Sequence, residues 1–90
     1  MRSHELRPGL SSVTGKFPDD GALIRRLFLG DTSFRSACED YATACSSLER
    51  LMREALPSRQ DEIDDYRSVI AGLEVEIAEF LRRATKVHIE

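Results

Sequence analysis

Along the second half of the chain, apolar residues recur at alternating intervals of three and four. Before Pro57 they are Phe34, Ala37, Tyr41, Ala44, Leu48, Leu51 and Ala55; after it, Ile63, Tyr66, Ile70, Leu73, Ile77, Phe80 and Ala84. This period gathers each set on one side of an α-helix, as in a coiled-coil seam. Pro57 separates the two sets, because it lacks an N–H and biases Leu56 away from helical backbone. Long helices are therefore expected over about 32–56 and 59–86. The connection between them is so short that they must be antiparallel neighbours. The predicted fold class is all-α: an antiparallel, coiled-coil-like long helical hairpin, preceded by a short helix and associating into a helix bundle.

Boundary residues agree with the pattern. Asp31, Thr32 and Ser33 are consecutive cap-competent residues. Ser58 with Asp61 three residues on resembles a capping box. Asp61, Glu62, Asp64 and Asp65 suit the positive end of the last helix, and Arg82, Arg83 and Lys86 its negative end. A shorter helix is expected over about 20–29, with Leu23, Ile24, Leu27 and Phe28 on one side, Arg25 and Arg26 on the other, and Gly30 as its stop. Too short to persist alone in water, it should dock at the open end of the hairpin or on a neighbouring subunit. Residues 1–16 hold Pro8, Gly9, Gly15 and a Ser/Thr cluster without periodicity, and read as a flexible N-terminal arm before a hairpin domain over 17–86.

The apolar strips are wide. Cys38, Cys45 and Met52 flank the first seam, and Val69 and Leu81 the second, more than one facing helix covers. A lone core in so small a domain rarely supplies more than about 3–5 kcal/mol. Self-association is the expected remedy, with a homodimer favoured. The candidate association interface comprises Phe34, Cys38, Tyr41, Cys45, Leu48, Met52, Ile63, Tyr66, Ile70, Leu73, Ile77 and Phe80. Glu49 and Arg53, four apart in the favourable order, are expected to form an exposed pair.

Charge and composition narrow the choice of partners. The net charge is −3, divided into a weakly basic stretch over 1–30 (five Lys/Arg, three Asp/Glu) and an acidic one over 31–90 (eight and thirteen). Neither nucleic acid nor an anionic membrane is the expected partner. The start lacks the apolar run of about 7–15 residues of a secretory leader, and no stretch approaches the roughly 20 apolar residues of a span. A cytoplasmic protein is the expectation. Cys38 and Cys45 lie seven residues apart on one helix, hence about 10 Å, too far for a bond within the chain. They read as packing residues, with an intersubunit disulfide or a redox role as the alternatives.

Chemical motifs are few. Gly9 to Phe17 imitates a phosphate-binding loop, but five residues separate its glycines and Phe17 stands where Ser or Thr would hold magnesium. The acids at the start of the last helix have a structural reason to be there, so no metal and no cofactor is expected. His4 and His88 are expected to be solvated. No catalytic residue is assigned.

Several of these residues resemble a known family. Phe17-Pro18, Leu23-Ile24 with Leu27, Asp31, Phe34, Tyr41 and Leu48-Glu49 are similar to the first half of the YdcH-like proteins, short bacterial helical proteins of unknown function. Tyr66-Arg67, Leu73, Glu74, Glu76-Ile77 and Leu81 match the second half more loosely, and the second long helix is acid-rich where that family is often Lys-rich. The resemblance implies a helical hairpin without assigned activity and transfers no catalytic residue. Glu62-Ile63-Asp64 through Leu81-Arg82-Arg83 also faintly resembles the long helix of helical chorismate mutases. Such chemistry needs basic side chains converging on a buried dianion, and neither seam contains one. The expected function is a non-enzymatic helical module for self-association and protein–protein interaction. An adaptor or chaperone that receives a partner helix is the alternative, and a helical mutase the remote one.

Overall fold

The computed structural model describes residues 8–89. The expected arm over residues 1–7, with His4, and the side chain of His88 lie outside what is described. Four α-helices follow in order: α1 (Pro8–Lys16), α2 (Gly21–Gly30), α3 (Thr32–Glu54) and α4 (Gln60–Ile89). Short 3-10 turns, Pro18–Asp20 and Pro57–Arg59, lead into α2 and α4. The chain is all-α, and no strand occurs among the described residues.

α3 and α4 form the hairpin. The Asp31 carboxylate caps α3 by accepting from the Phe34 N–H at 3.0 Å. The C-terminus of α3 differs from expectation: the helix stops at Glu54, and Ala55 closes it in left-handed backbone (φ 54°, ψ 38°), its N–H donating to the Leu51 carbonyl. Leu56 is then extended, as a residue before proline should be. The Ser58 capping box does not form; Pro57–Arg59 makes a 3-10 turn instead, and the first polar pairs of α4 are Arg59 with Glu62 and Gln60 with Asp64.

The main correction concerns the segment ahead of the hairpin. Residues 8–16 are not an arm but a helix, and Val13 at its centre is fully buried. Pro8 is compatible with a first helical turn because its missing N–H would have no partner there. Gly9 permits the approach to α3: a Cβ at this position would lie 3.1 Å from the Cys38 carbonyl carbon and the Glu39 nitrogen. With Gly9 to Lys16 wound as helix, the apparent phosphate loop cannot fold as a cradle. Periodicity failed to reveal α1 because it buries only a narrow line, chiefly Leu10 and Val13, among small polar residues.

α2 docks on the same end, burying Ile24 and Phe28, and the Arg35 guanidinium donates to the Phe28 carbonyl at 2.9 Å. The open end of the hairpin thus acquires a second layer. Its core joins Val13, Ile24, Phe28, Phe34, Cys38 and Tyr41 to Ile77 and Leu81 of α4. Phe34 and Phe80 meet edge to face with ring centroids 5.4 Å apart. Of the two docking places expected for the short helix, the open end is the one taken, and α1 and α2 together cover part of the excess apolar strip from within the chain.

Candidate functional site

The other half of the hairpin remains uncovered. No residue between Ser46 and Val69 belongs to the core cluster or packs against it. Here α3 and α4 bury only the residues that face each other, Leu51 and Ile63. Met52 stays 50% exposed, Leu56 47% and Val69 51%, although large apolar side chains gain about 25 cal/mol for each Å² removed from water. These side chains fall into two shallow hollows. One, of about 320 Å³, is lined by Met52, Leu56, Ile63, Gln60 and Arg67. The other, of about 290 Å³, lies among Glu62, Asp65, Tyr66 and Val69.

The boundary between covered and bare halves is polar. The Tyr41 hydroxyl donates to Glu74 Oε2 at 2.8 Å, and Lys16 Nζ at the end of α1 lies 3.6 Å from the same oxygen. A buried tyrosine thereby gains the partner its hydroxyl requires. Burial, helped by the Glu74 carboxylate, pushes the Tyr41 hydroxyl well above its usual range. Burial also raises the Cys38 thiol to about 12, with Glu39 adding to the effect, and raises that of Cys45 despite an opposing hydrogen bond from Tyr41. Both cysteines are free. Thiols of this kind are protonated at neutral pH and make poor nucleophiles or metal ligands.

The residues assigned to an interface by sequence divide accordingly. Phe34, Cys38, Tyr41, Ile63 and Ile77 are buried inside the single chain, although Ile63 still forms the floor of the hollow at Met52 and Leu56. Cys45, Ile70, Leu73 and Phe80 are half-buried against the internal core. Leu48 and Tyr66 are half-buried in the bare half, and of the twelve only Met52 is exposed, at 50%. Leu81, expected to widen the exposed strip, is also internal at 5% exposure. Leu29, Leu56, Val69 and Val75 are exposed apolar residues outside the interface assignment, and Leu29 at 76% and Val75 at 66% are the most exposed of them. Leu56 went unnoticed because Pro57 marked it only as a helix terminus.

Two further expectations meet the geometry. Glu49 and Arg53 form no ion pair; the pairs made within helices are Arg59 with Glu62 and Glu79 with Arg82 and Arg83. Arg25 and Arg26 are exposed on the outer side of α2. Among the described residues no charged side chain is buried and no three His, Cys, Asp or Glu side chains converge as a metal site. Nor is any described helix long and apolar enough to cross a membrane.

Fold and surface together define a class: an all-α helical hairpin, layered at one end and bare at the other. No family model matches the chain, and no curated protein or solved structure is detectably similar to it.

Proposed function

We propose that this chain is a non-enzymatic helical association module that acts in the cytoplasm by binding another copy of itself, as a dimer. One observation carries the reading: in the bend half of the hairpin, Met52, Leu56 and Val69 remain about half exposed and no part of α1 or α2 belongs to the packing there, although Leu29 and Val75 are also exposed at the other end. Burying that strip in a second hairpin would complete a four-helix arrangement. The YdcH-like resemblance belongs to the same proposal, as a hairpin without assigned activity. Against a mutase stands the lack of any buried basic side chain among the described residues to stabilise a dianion.

Sedimentation equilibrium over a micromolar concentration range tests the reading. The expected result is a reversible dimer that Met52→Glu converts to a folded monomer. A folded wild-type monomer throughout that range would overturn it.

A second reading, an adaptor that receives a partner helix, is favoured by the hollow at Tyr66 and Val69. Its rim residues Glu62 and Asp65 are both acidic, which suits a basic amphipathic helix. In that case pull-down returns a stoichiometric second protein lost on Val69→Lys.

A further inference from the structure

α2 buries Ile24 and Phe28 and packs chiefly on α1 and α3. A furrow therefore remains between α2 and the last turns of α4. Its floor comes from two pairs of residues four apart, Leu23 with Leu27 on α2 and Phe80 with Ala84 on α4. Residues at this spacing stand one turn above another, so each helix lends the furrow an apolar wall. All four are half-buried. Their own chain covers one side of them and leaves the other facing a hollow of about 570 Å³. Small-molecule sites commonly enclose about 300–1,000 Å³.

The rim is basic. Arg26 and Arg83, from the two opposing helices, line the furrow together with Asp31. Arg26 forms no ion pair among the described residues. Arg83 lies 3.7 Å from Glu79 Oε1, an oxygen that Arg82 holds more closely. The Asp31 carboxylate is already engaged as the cap of α3, accepting from the Phe34 N–H. Two guanidiniums against one carboxylate leave the lining with a single positive charge. One anionic group balances that charge, and a dianion would exceed it.

The apolar part of a ligand is constrained as well. The Arg83 guanidinium lies over the Phe80 ring, 5.1 Å from its centroid, and Phe34 meets the same ring edge to face. An aromatic ligand would have to displace Arg83 to stack on that face. An aliphatic chain can lie along Leu23, Leu27 and Ala84 with the cation left in place.

We propose that this furrow binds a small aliphatic carboxylate, its head held by Arg26 and Arg83 and its chain laid between α2 and α4. Planar guanidiniums match a carboxylate in both charge and geometry. The inference is independent of the self-association reading, because the furrow lies at the covered end and the bare strip at the bend.

Octanoate, kept below the concentration at which it aggregates, is the probe, followed by calorimetry and by methyl NMR shifts. Shifts should gather at Leu23, Leu27 and Ala84 and spare Met52 and Val69. From butanoate to octanoate the Kd should fall about two- to fourfold for each added methylene. Octylammonium, with the same chain and the opposite charge, should bind about tenfold more weakly than octanoate. Arg26→Gln, at an exposed position, and Arg83→Gln should each raise the octanoate Kd about three- to tenfold. Arg25→Gln removes the same charge from α2 outside the furrow and should change it by less than about twofold. Circular dichroism checks that the variants fold. The proposal is overturned if octanoate does not bind, if it moves the Met52 and Val69 methyls instead, or if octylammonium binds equally well. Equal losses from Arg25→Gln and Arg26→Gln would also overturn it. Whether the wild type sediments as monomer or dimer bears only on the association reading.

Discussion

The two ends of this hairpin carry the same kind of seam but have different surroundings. At the open end Phe34, Cys38 and Ile77 have no exposure left, because α1 and α2 close over them. At the bend Met52 and Leu56, on the same helix and its exit, keep about half of theirs. A helix presents its apolar strip along its full length, yet the short N-terminal helices reach only part of it. Burial is thereby concentrated in one half: a side chain sealed by its own chain contributes to folding, whereas one left in water could contribute only by finding another surface.

Truncation at each end tests this division most strongly. Phe34→Ala removes a fully buried ring in edge contact with Phe80 and should cost about 3–5 kcal/mol, a large share of the total stability of a domain this size. Met52→Ala should cost less than about 1 kcal/mol in chemical denaturation of the monomer, and would weaken the dimer proposed above. Equal losses at the two sites would erase the distinction.

Gly9→Ala comes next. Its new methyl would press on the backbone of Cys38 and Glu39, which cannot rotate away, so a loss of about 1–3 kcal/mol is expected. Amide exchange should localise the loss to α1, α2 and the open end. Uniform acceleration through the bend would mean that the two halves unfold as one unit.

The pH dependence follows from the same burial. Cys38 and Tyr41 titrate higher in the folded state than ordinary thiols and phenols do, because burial disfavours their anions. Their contribution is complete below the unfolded values, near 9 for the thiol and near 10 for the phenol, and is lost as pH rises toward the folded ones. Stability should therefore fall between about pH 9 and 12, and Tyr41→Phe should shorten that decline. At pH 8 a thiol reagent should modify half-buried Cys45 before fully buried Cys38; equal rates would show that the open end breathes.

The smallest effect belongs to the bend. Ala55 holds a left-handed conformation that its Cβ disfavours. Ala55→Gly should stabilise the monomer by about 0.5–1 kcal/mol, measured by thermal unfolding, and leave dimerisation unchanged. A destabilised variant would mean that glycine's freedom in the unfolded chain outweighs relief at the cap.

Much of the architecture was legible in the residues themselves. The three-four repeats gave both long helices, Pro57 the bend, Asp31 the cap of α3, and Leu23 to Phe28 the helix that docks on the open end. Local features also misled. Ser58 and Asp61 have the spacing of a capping box, yet the turn Pro57 imposes leaves Ser58 without that bond. Glu49 and Arg53 have the spacing of a pair yet stay apart. Spacing permits a contact, whereas competing backbone and solvent interactions decide it.

Sequence by itself determined which faces of α3 and α4 are apolar, because periodicity is a property of each helix alone. Tertiary structure decided what covers those faces. α1 has too few apolar residues to announce itself and becomes a packed helix only where Gly9 and Val13 find α3. Burial depends on how far one element reaches along another, and that reach, which separates Phe34 from Met52, exists only once the chain has folded.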